Sequence, residues 1–265
     1  FARYVAMNHP QLVFPFKRYQ VQPVWRADKL QKSRYREFYQ CDADVVGSQS
    51  LLNEVELASI YHEVFTKLGL TGYELRINSR KVLAALAETC GGMDKMTDIT
   101  VAIDKLDKIG LDKVKEELTS RGLSDDQVSL IEKYLNITGT NSEIITGLTQ
   151  LIGENPTGKK GIEELQLLTS AFNSPDSRLP TSDYRLVLDP TLARGLNYYT
   201  GIIFEAKAPA TVKVGSIGGG GRYDDLTGLF GVPNIPGVGI SFGVDRIYDV
   251  MEELQLFPAE VHVGT

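Results

Sequence analysis

The chain has 265 residues, of which 42% are hydrophobic and 23% charged, and its formal net charge is −6. That is apolar content for one large core or a core with a smaller companion, and no apolar run approaches the roughly 20 residues a membrane span needs. Two cysteines, Cys41 and Cys90, and three scattered histidines, His9, His62 and His262, offer neither a disulfide framework nor metal-ligand spacing, so no metal site is expected and a reducing cytoplasm fits best.

The acidic balance argues against a general nucleic-acid binder, but the charge is uneven. Residues 81–165 carry 10 basic and 15 acidic side chains, a net of −5, which leaves −1 for the rest. Within that rest, Lys17, Arg18, Arg26, Lys29, Lys32, Arg34 and Arg36 face only Asp28 and Glu37. On its own such a run reads as a solvated face. There is no signal-peptide pattern, and the opening Phe1-Ala2-Arg3-Tyr4 reads as part of a longer chain.

Residues 19–27 alternate as a half-buried strand does, residues 28–34 are polar, and residues 35–46 alternate again. This predicts an antiparallel hairpin with a long basic loop. Residues 53–68 place Val55, Leu57, Ala58, Tyr61, Val64, Phe65 and Leu68 at helical spacing, with Gly69 as the stop. Residues 73–77 read as a strand. Residues 81–165 then show short amphipathic helical periods, and Ser124 with Gln127 has capping-box form. Residues 155–161 (Asn-Pro-Thr-Gly-Lys-Lys-Gly) read as a turn-rich stretch. Strands return at 184–188 and 202–206. Gly218 to Gly221 reads as a glycine-rich turn, and residues 238–243 as a strand leading into a helix near Val244. The fold class is therefore α+β: a mainly antiparallel sheet flanked by helices, with a small inserted helical subdomain.

Three stretches carry chemistry. The hairpin loop presents Arg26, Arg34 and Phe38. An arginine fork matches phosphate oxygens, and an aromatic can stack on a purine. The second stretch, Leu192-Ala-Arg194-Gly-Leu-Asn-Tyr198-Tyr199-Thr-Gly201, sets one cation among apolar neighbours and two phenols. A structural ion pair with core tyrosines would account for it equally well. The third joins the glycine run to Gly239-Ile-Ser-Phe-Gly243-Val-Asp-Arg246. It lacks the Gly-Lys-Ser/Thr ending of a P-loop and the context of a dinucleotide fingerprint, but Arg246 in the first turn of a helix favours phosphate.

Taken together these stretches resemble the class II aminoacyl-tRNA synthetases, and in particular the histidyl-tRNA synthetase family. Arg26 with "Arg-Tyr-Arg-Glu-Phe-Tyr-Gln" resembles class II motif 2, and "Gly-Ile-Ser-Phe-Gly-Val-Asp-Arg" resembles motif 3. "Leu-Ala-Arg-Gly-Leu-Asn-Tyr-Tyr-Thr-Gly" resembles the signature of the histidine enzymes. Leu30, Ser33 and Asn197 stand where the family pattern has Pro, Gly and Asp.

The resemblance implies a ligase that activates L-histidine with ATP to histidyl-adenylate and transfers it to the acceptor end of tRNA(His). Mg2+ would accompany ATP, and the full-length protein would be a cytoplasmic homodimer without a membrane segment. It implies Arg26 and Arg194 as catalytic cations at the α-phosphate. For histidine it implies Arg26, Gln40, Asp44, Arg194, Tyr198 and Tyr199, with Asp44 and Tyr199 on the imidazole. For ATP it implies Arg26, Asp28, Arg34, Phe38 (stacked on adenine) and Arg246 (at the γ-phosphate). It divides the chain into catalytic core at 1–80 and 166–257, a helical insertion at 81–165, and a linker at 258–265 towards an anticodon-binding domain. Motif 1 would precede Phe1. Two rivals share the fold: a non-catalytic paralogue regulating histidine biosynthesis, and a tRNA-sensing module of a larger kinase. Both would be expected to lose the arginine set kept here.

Overall fold

The computed structural model describes residues 1–27, 35–173, 185–193 and 198–258. In chain order the regular elements are α1 (Ala2–Asn8), β1 (Phe16–Trp25), β2 (Glu37–Val46), α2 (Leu52–Lys67), β3 (Glu74–Ser79), α3 (Arg80–Thr89), α4 (Met96–Ile103), α5 (Leu106–Ile109), α6 (Leu111–Ser120), α7 (Asp125–Leu135), α8 (Asn141–Ile152), α9 (Pro156–Asn173), β4 (Arg185–Leu188), β5 (Ile202–Lys207), β6 (Ser216–Arg222), β7 (Gly237–Gly243) and α10 (Val244–Glu253). Seven strands pair in the order β1-β2-β7-β6-β5-β3-β4. The pairs β1–β2, β2–β7 and β6–β7 are antiparallel. Two compact units are present, and the division between them passes through β3, β4 and β5. Among the described residues no helix is long and apolar enough to cross a membrane.

In the first unit the predicted hairpin forms, with Phe16 opposite Val46 and Trp25 opposite Glu37. Side chains alternate across the sheet, so Phe38, Gln40, Asp42 and Asp44 share one face with Ser241 and Gly243 of β7. The opposite face is covered by α2. Leu57, Tyr61 and Phe65, four residues apart in turn, are all buried. The Tyr61 hydroxyl donates to the carbonyls of Ser241 (2.9 Å) and Gly219 (3.1 Å). The Tyr61 and Phe242 rings sit 4.6 Å apart. Helix α2 ends as predicted: Gly69 adopts φ +67°, its N–H reaches Thr66 O and the Leu70 N–H reaches Phe65 O, a Schellman closure.

The glycine run corrects the sequence reading. Gly218 to Gly221 is not a turn but the middle of strand β6. A Cβ at Gly218 would stand 2.7 Å from the Tyr61 ring, and one at Gly220 would fall on the carbonyl oxygen of Gly239. Gly218 and Gly220 are glycine because α2 and β7 press onto them, not because the chain must bend. Gly220→Ala is therefore expected to cost about 3 kcal/mol through backbone displacement, read as a lower urea midpoint at unchanged slope.

The second unit is mainly helical. Ser79 caps α3 by accepting from Lys81 N. The predicted capping box at Ser124 and Gln127 forms, and Thr140 with Glu143 makes a second one of the same sequence form. Residues 155–161 are again a correction: they begin α9 rather than a turn. Asn155 Oδ1 accepts the N–H groups of Thr157 (2.8 Å) and Gly158 (3.0 Å), and Pro156 opens the helix. Gly158 and Gly161 let α9 lie close on α3, since their Cβ atoms would stand 2.9 Å from Ala85 and 3.0 Å from Lys81 side chains.

Candidate active site

On the open face of the first unit, β2, β6, β7 and the start of α10 surround a cleft of about 240 Å³. Four of the sequence-predicted residues line it: Arg26, Phe38, Gln40 and Arg246. The alternation of β2 points Phe38 and Gln40 the same way, and β7 leads straight into α10, which puts Arg246 in the first turn of that helix. The Arg26 guanidinium lies 4.2 Å from the Phe38 ring centroid, and its Nε donates to Tyr35 O at 3.2 Å. Gln40 Nε2 donates to Ser241 Oγ at 2.5 Å. Arg246 Nη1 donates to Ser216 O at 2.7 Å. Gly219 and Gly243 keep the floor bare, so a ligand can approach backbone groups closely.

Two further contacts tie the hairpin to α10. Asp245 Oδ2 accepts the Tyr39 N–H at 2.7 Å, one residue past the last β2–β7 pair. The Tyr35 hydroxyl reaches Asp249 at 3.1 Å, and that hydrogen bond raises the Tyr35 pKa above its ordinary value, with burial adding to it. Neither contact was singled out from the sequence. Their only signal there is the acidic spacing Asp245-x-x-x-Asp249 facing a basic, aromatic hairpin.

Asp44 lies on the same face of β2 as Gln40, four residues on, or about 13 Å along the strand. It does not line the cleft. Its carboxylate is paired with Arg18 at 2.8 Å and accepts the Tyr223 hydroxyl at 2.5 Å. Burial holds its pKa above the ordinary carboxylate value, although the Tyr223 hydrogen bond and the Arg18 charge pull it down.

In the second unit, Tyr198 and Tyr199 stand edge to face with centroids 4.8 Å apart. Residues 189–192 are held by several polar contacts. Asn78 Nδ2 donates to the carbonyls of Pro190 and Leu192, both at 3.1 Å. The Tyr134 hydroxyl donates to Pro190 O at 2.7 Å, and Arg76 pairs with Asp189 at 2.8 Å. Asp28, Arg34 and Arg194 lie outside the described residues. Among the described residues no three His, Cys, Asp or Glu side chains converge as metal ligands.

A family model described as histidyl-tRNA synthetase matches residues 2–247. The chain belongs to the histidyl-tRNA synthetase family. It is 57% identical over its whole length to a histidine–tRNA ligase of Christiangramia forsetii, and 54% identical to one of Bacteroides fragilis. In both comparisons it covers 57% of the relative, so the chain spans somewhat over half the length of these curated relatives. The crystal structure of a histidyl-tRNA synthetase from Nostoc sp. superposes with a TM-score of 0.83 at 33% identity, covering 97% of this chain and 59% of that one. A structure from Bacillus halodurans, titled an ATP phosphoribosyltransferase regulatory subunit/histidyl-tRNA synthetase, shares the fold at 22% identity, with a TM-score of 0.76 over 94% of this chain and 62% of that one. The fold is that of a class II synthetase, as the sequence motifs implied.

Proposed function

We propose that this chain is the catalytic core of a histidine–tRNA ligase, and that the cleft is where L-histidine and ATP react. The observation that carries the reading is the convergence of Arg26, Phe38, Gln40 and Arg246 on one cleft. Phe38 offers a ring for adenine, Arg26 and Arg246 offer charge for phosphates, and Gln40 offers an amide to the amino-acid end of histidine. The histidine carboxylate attacks the α-phosphorus, the bond to the β-phosphate oxygen breaks, and pyrophosphate leaves. Negative charge grows on the α-phosphate oxygens, and cations fixed in advance stabilise it. The acceptor hydroxyl of tRNA(His) then displaces AMP from the adenylate. Asp44 takes an imidazole N–H. Arg194, Tyr198 and Tyr199 keep the histidine roles given by the family resemblance, as Asp28 and Arg34 keep theirs for ATP. Mg2+ enters with the ATP phosphates.

The same reading makes residues 1–80 and 166–257 catalytic core, 81–165 the insertion, and 258–265 the start of a linker. It places the full-length protein in the cytoplasm as a homodimer. The test for histidine selection is calorimetry on Asp44→Ala. Removing a charged acceptor should weaken histidine binding by about 2 kcal/mol while ATP binding stays nearly constant. Unchanged histidine affinity would remove Asp44 from the pocket.

A further inference from the structure

Asp44 is the acceptor proposed above for the imidazole, and the structure shows what holds it. Arg18 stands directly opposite on β1 and brings Nη2 to 2.8 Å from Oδ2. Tyr223, the first residue after β6, donates its hydroxyl to Oδ1 at 2.5 Å. Arg18 is itself braced: its Nη1 donates to Gln20 at 2.5 Å, and its guanidinium lies 4.2 Å from the Phe1 ring centroid. The cluster exists because β7 is bare beside it. A Cβ on Gly239 would fall on Asp44 Oδ1, and one on Gly237 would fall within the Tyr223 ring. The Tyr223 N–H donates to Gly237 O at 2.7 Å, which fixes the root of the phenol. Arg18 and Gln20 on β1, Gly237 and Gly239 on β7, and Tyr223 at the exit of β6 are thus shaped around one carboxylate.

We infer that Arg18 and Tyr223 are positioning residues that keep Asp44 ionised and fixed, so that the site selects a ring able to donate an N–H. The inference rests on the reading that Asp44 meets the imidazole. An ionised carboxylate only accepts, and its two oxygens have more acceptor positions than the two protein donors fill. A protonated Asp44 would instead present an O–H and lose its preference for a donating ring. Burial drives it toward that state, and the charge of Asp42 on the same strand adds to the push. Tyr223 and Arg18 oppose it. The Arg18 charge also disfavours an imidazolium, leaving neutral imidazole as the preferred ligand.

The experiment is steady-state ATP–pyrophosphate exchange by the full-length protein, with KM for histidine and for ATP measured across pH. Tyr223→Phe removes one oxygen and should raise KM for histidine by roughly tenfold, the scale of one hydrogen bond to a charged group, with KM for ATP nearly unchanged. The loss should be steeper toward acid pH. With its donor gone, Asp44 protonates at higher pH, so histidine KM begins to climb at higher pH than in the parent. Arg18→Met should act in the same direction, and Arg18→Lys, which keeps the charge, should lie nearer the parent. Asp44→Asn serves as reference. If it raises histidine KM while Tyr223→Phe and Arg18→Met leave both KM and pH profile alone, the positioning role is overturned and Asp44 keeps its place. If both KM values rise together in Tyr223→Phe, the tyrosine is a general structural support and the inference is again overturned. If Asp44→Asn itself leaves histidine KM unchanged, the imidazole assignment fails and takes this inference with it.

Discussion

Arg26→Ala is expected to lower the rate of histidyl-adenylate formation by roughly two to three orders of magnitude, the scale seen when a preorganised charge-stabilising donor is removed. The residue sits at the end of β1, where the backbone still pairs: its N–H donates to Arg36 O at 2.9 Å. Its guanidinium is oriented by the Phe38 ring at 4.2 Å and by Tyr35 O at 3.2 Å. A cation held this way needs little rearrangement when charge develops beside it. Its loss should therefore affect the transition state more than the ground state. ATP affinity should fall much less, because Arg246 remains at the helix start. Arg194→Ala should show a loss of the same order. Leu192 and Ala193, just before it, are buried, and Asn78 and Tyr134 hold their loop. Single-turnover kinetics separates the two effects. An Arg26→Ala protein forming adenylate at the parent rate would reduce Arg26 to a hairpin brace.

Glu54→Ala is expected to be among the most destabilising single changes in the first unit, at about 3–5 kcal/mol, because it removes the main counter-charge of a buried guanidinium. Glu54 on α2 and Arg222 at the end of β6 are both buried, and they meet in a two-pronged pair of 2.5 and 2.7 Å. Arg222 also donates to Ser48 O at 3.2 Å and pairs with Asp224 at 3.2 Å. Burial works against the Arg222 charge, but the hydrogen bond and charge of Glu54 outweigh it and hold its pKa above the ordinary value. Without Glu54 the guanidinium has no full substitute. Equilibrium denaturation reads the effect directly. A loss below about 1 kcal/mol, the range of an exposed pair, would mean that water reaches Arg222. Because Arg222 adjoins Tyr223, the same variant should also disturb Asp44.

The local signals in the sequence were physical ones, and they carried well where one periodicity dominated. The hairpin, α2 with its glycine stop, the Ser124 capping box and the β7–α10 junction each depend on a few neighbouring residues. The misreadings have a common cause. Glycine in a turn and glycine under close packing look alike in sequence, and only Tyr61 above Gly218, or α3 against Gly158, decides between them. The site divides the same way. Phe38 stood out as an aromatic in a basic hairpin and Arg246 because the strand runs into a helix, whereas Gln40 and Asp44 came only from the family resemblance. Arg18 and Tyr223 were not legible, since what makes them matter is the register of β1 on β2 and the missing side chains of Gly237 and Gly239. Glu54 and Arg222 are 168 residues apart, beyond any local pattern.

The most direct test is exchange of labelled pyrophosphate into ATP, catalysed by the full-length protein with each amino acid in turn. Incorporation should require L-histidine and should disappear when it is withheld or replaced by another amino acid. It should also fall in Arg26→Ala in step with the single-turnover rate. A protein that binds histidine and ATP yet exchanges no pyrophosphate would contradict the account and favour the non-catalytic regulatory paralogue that shares this fold.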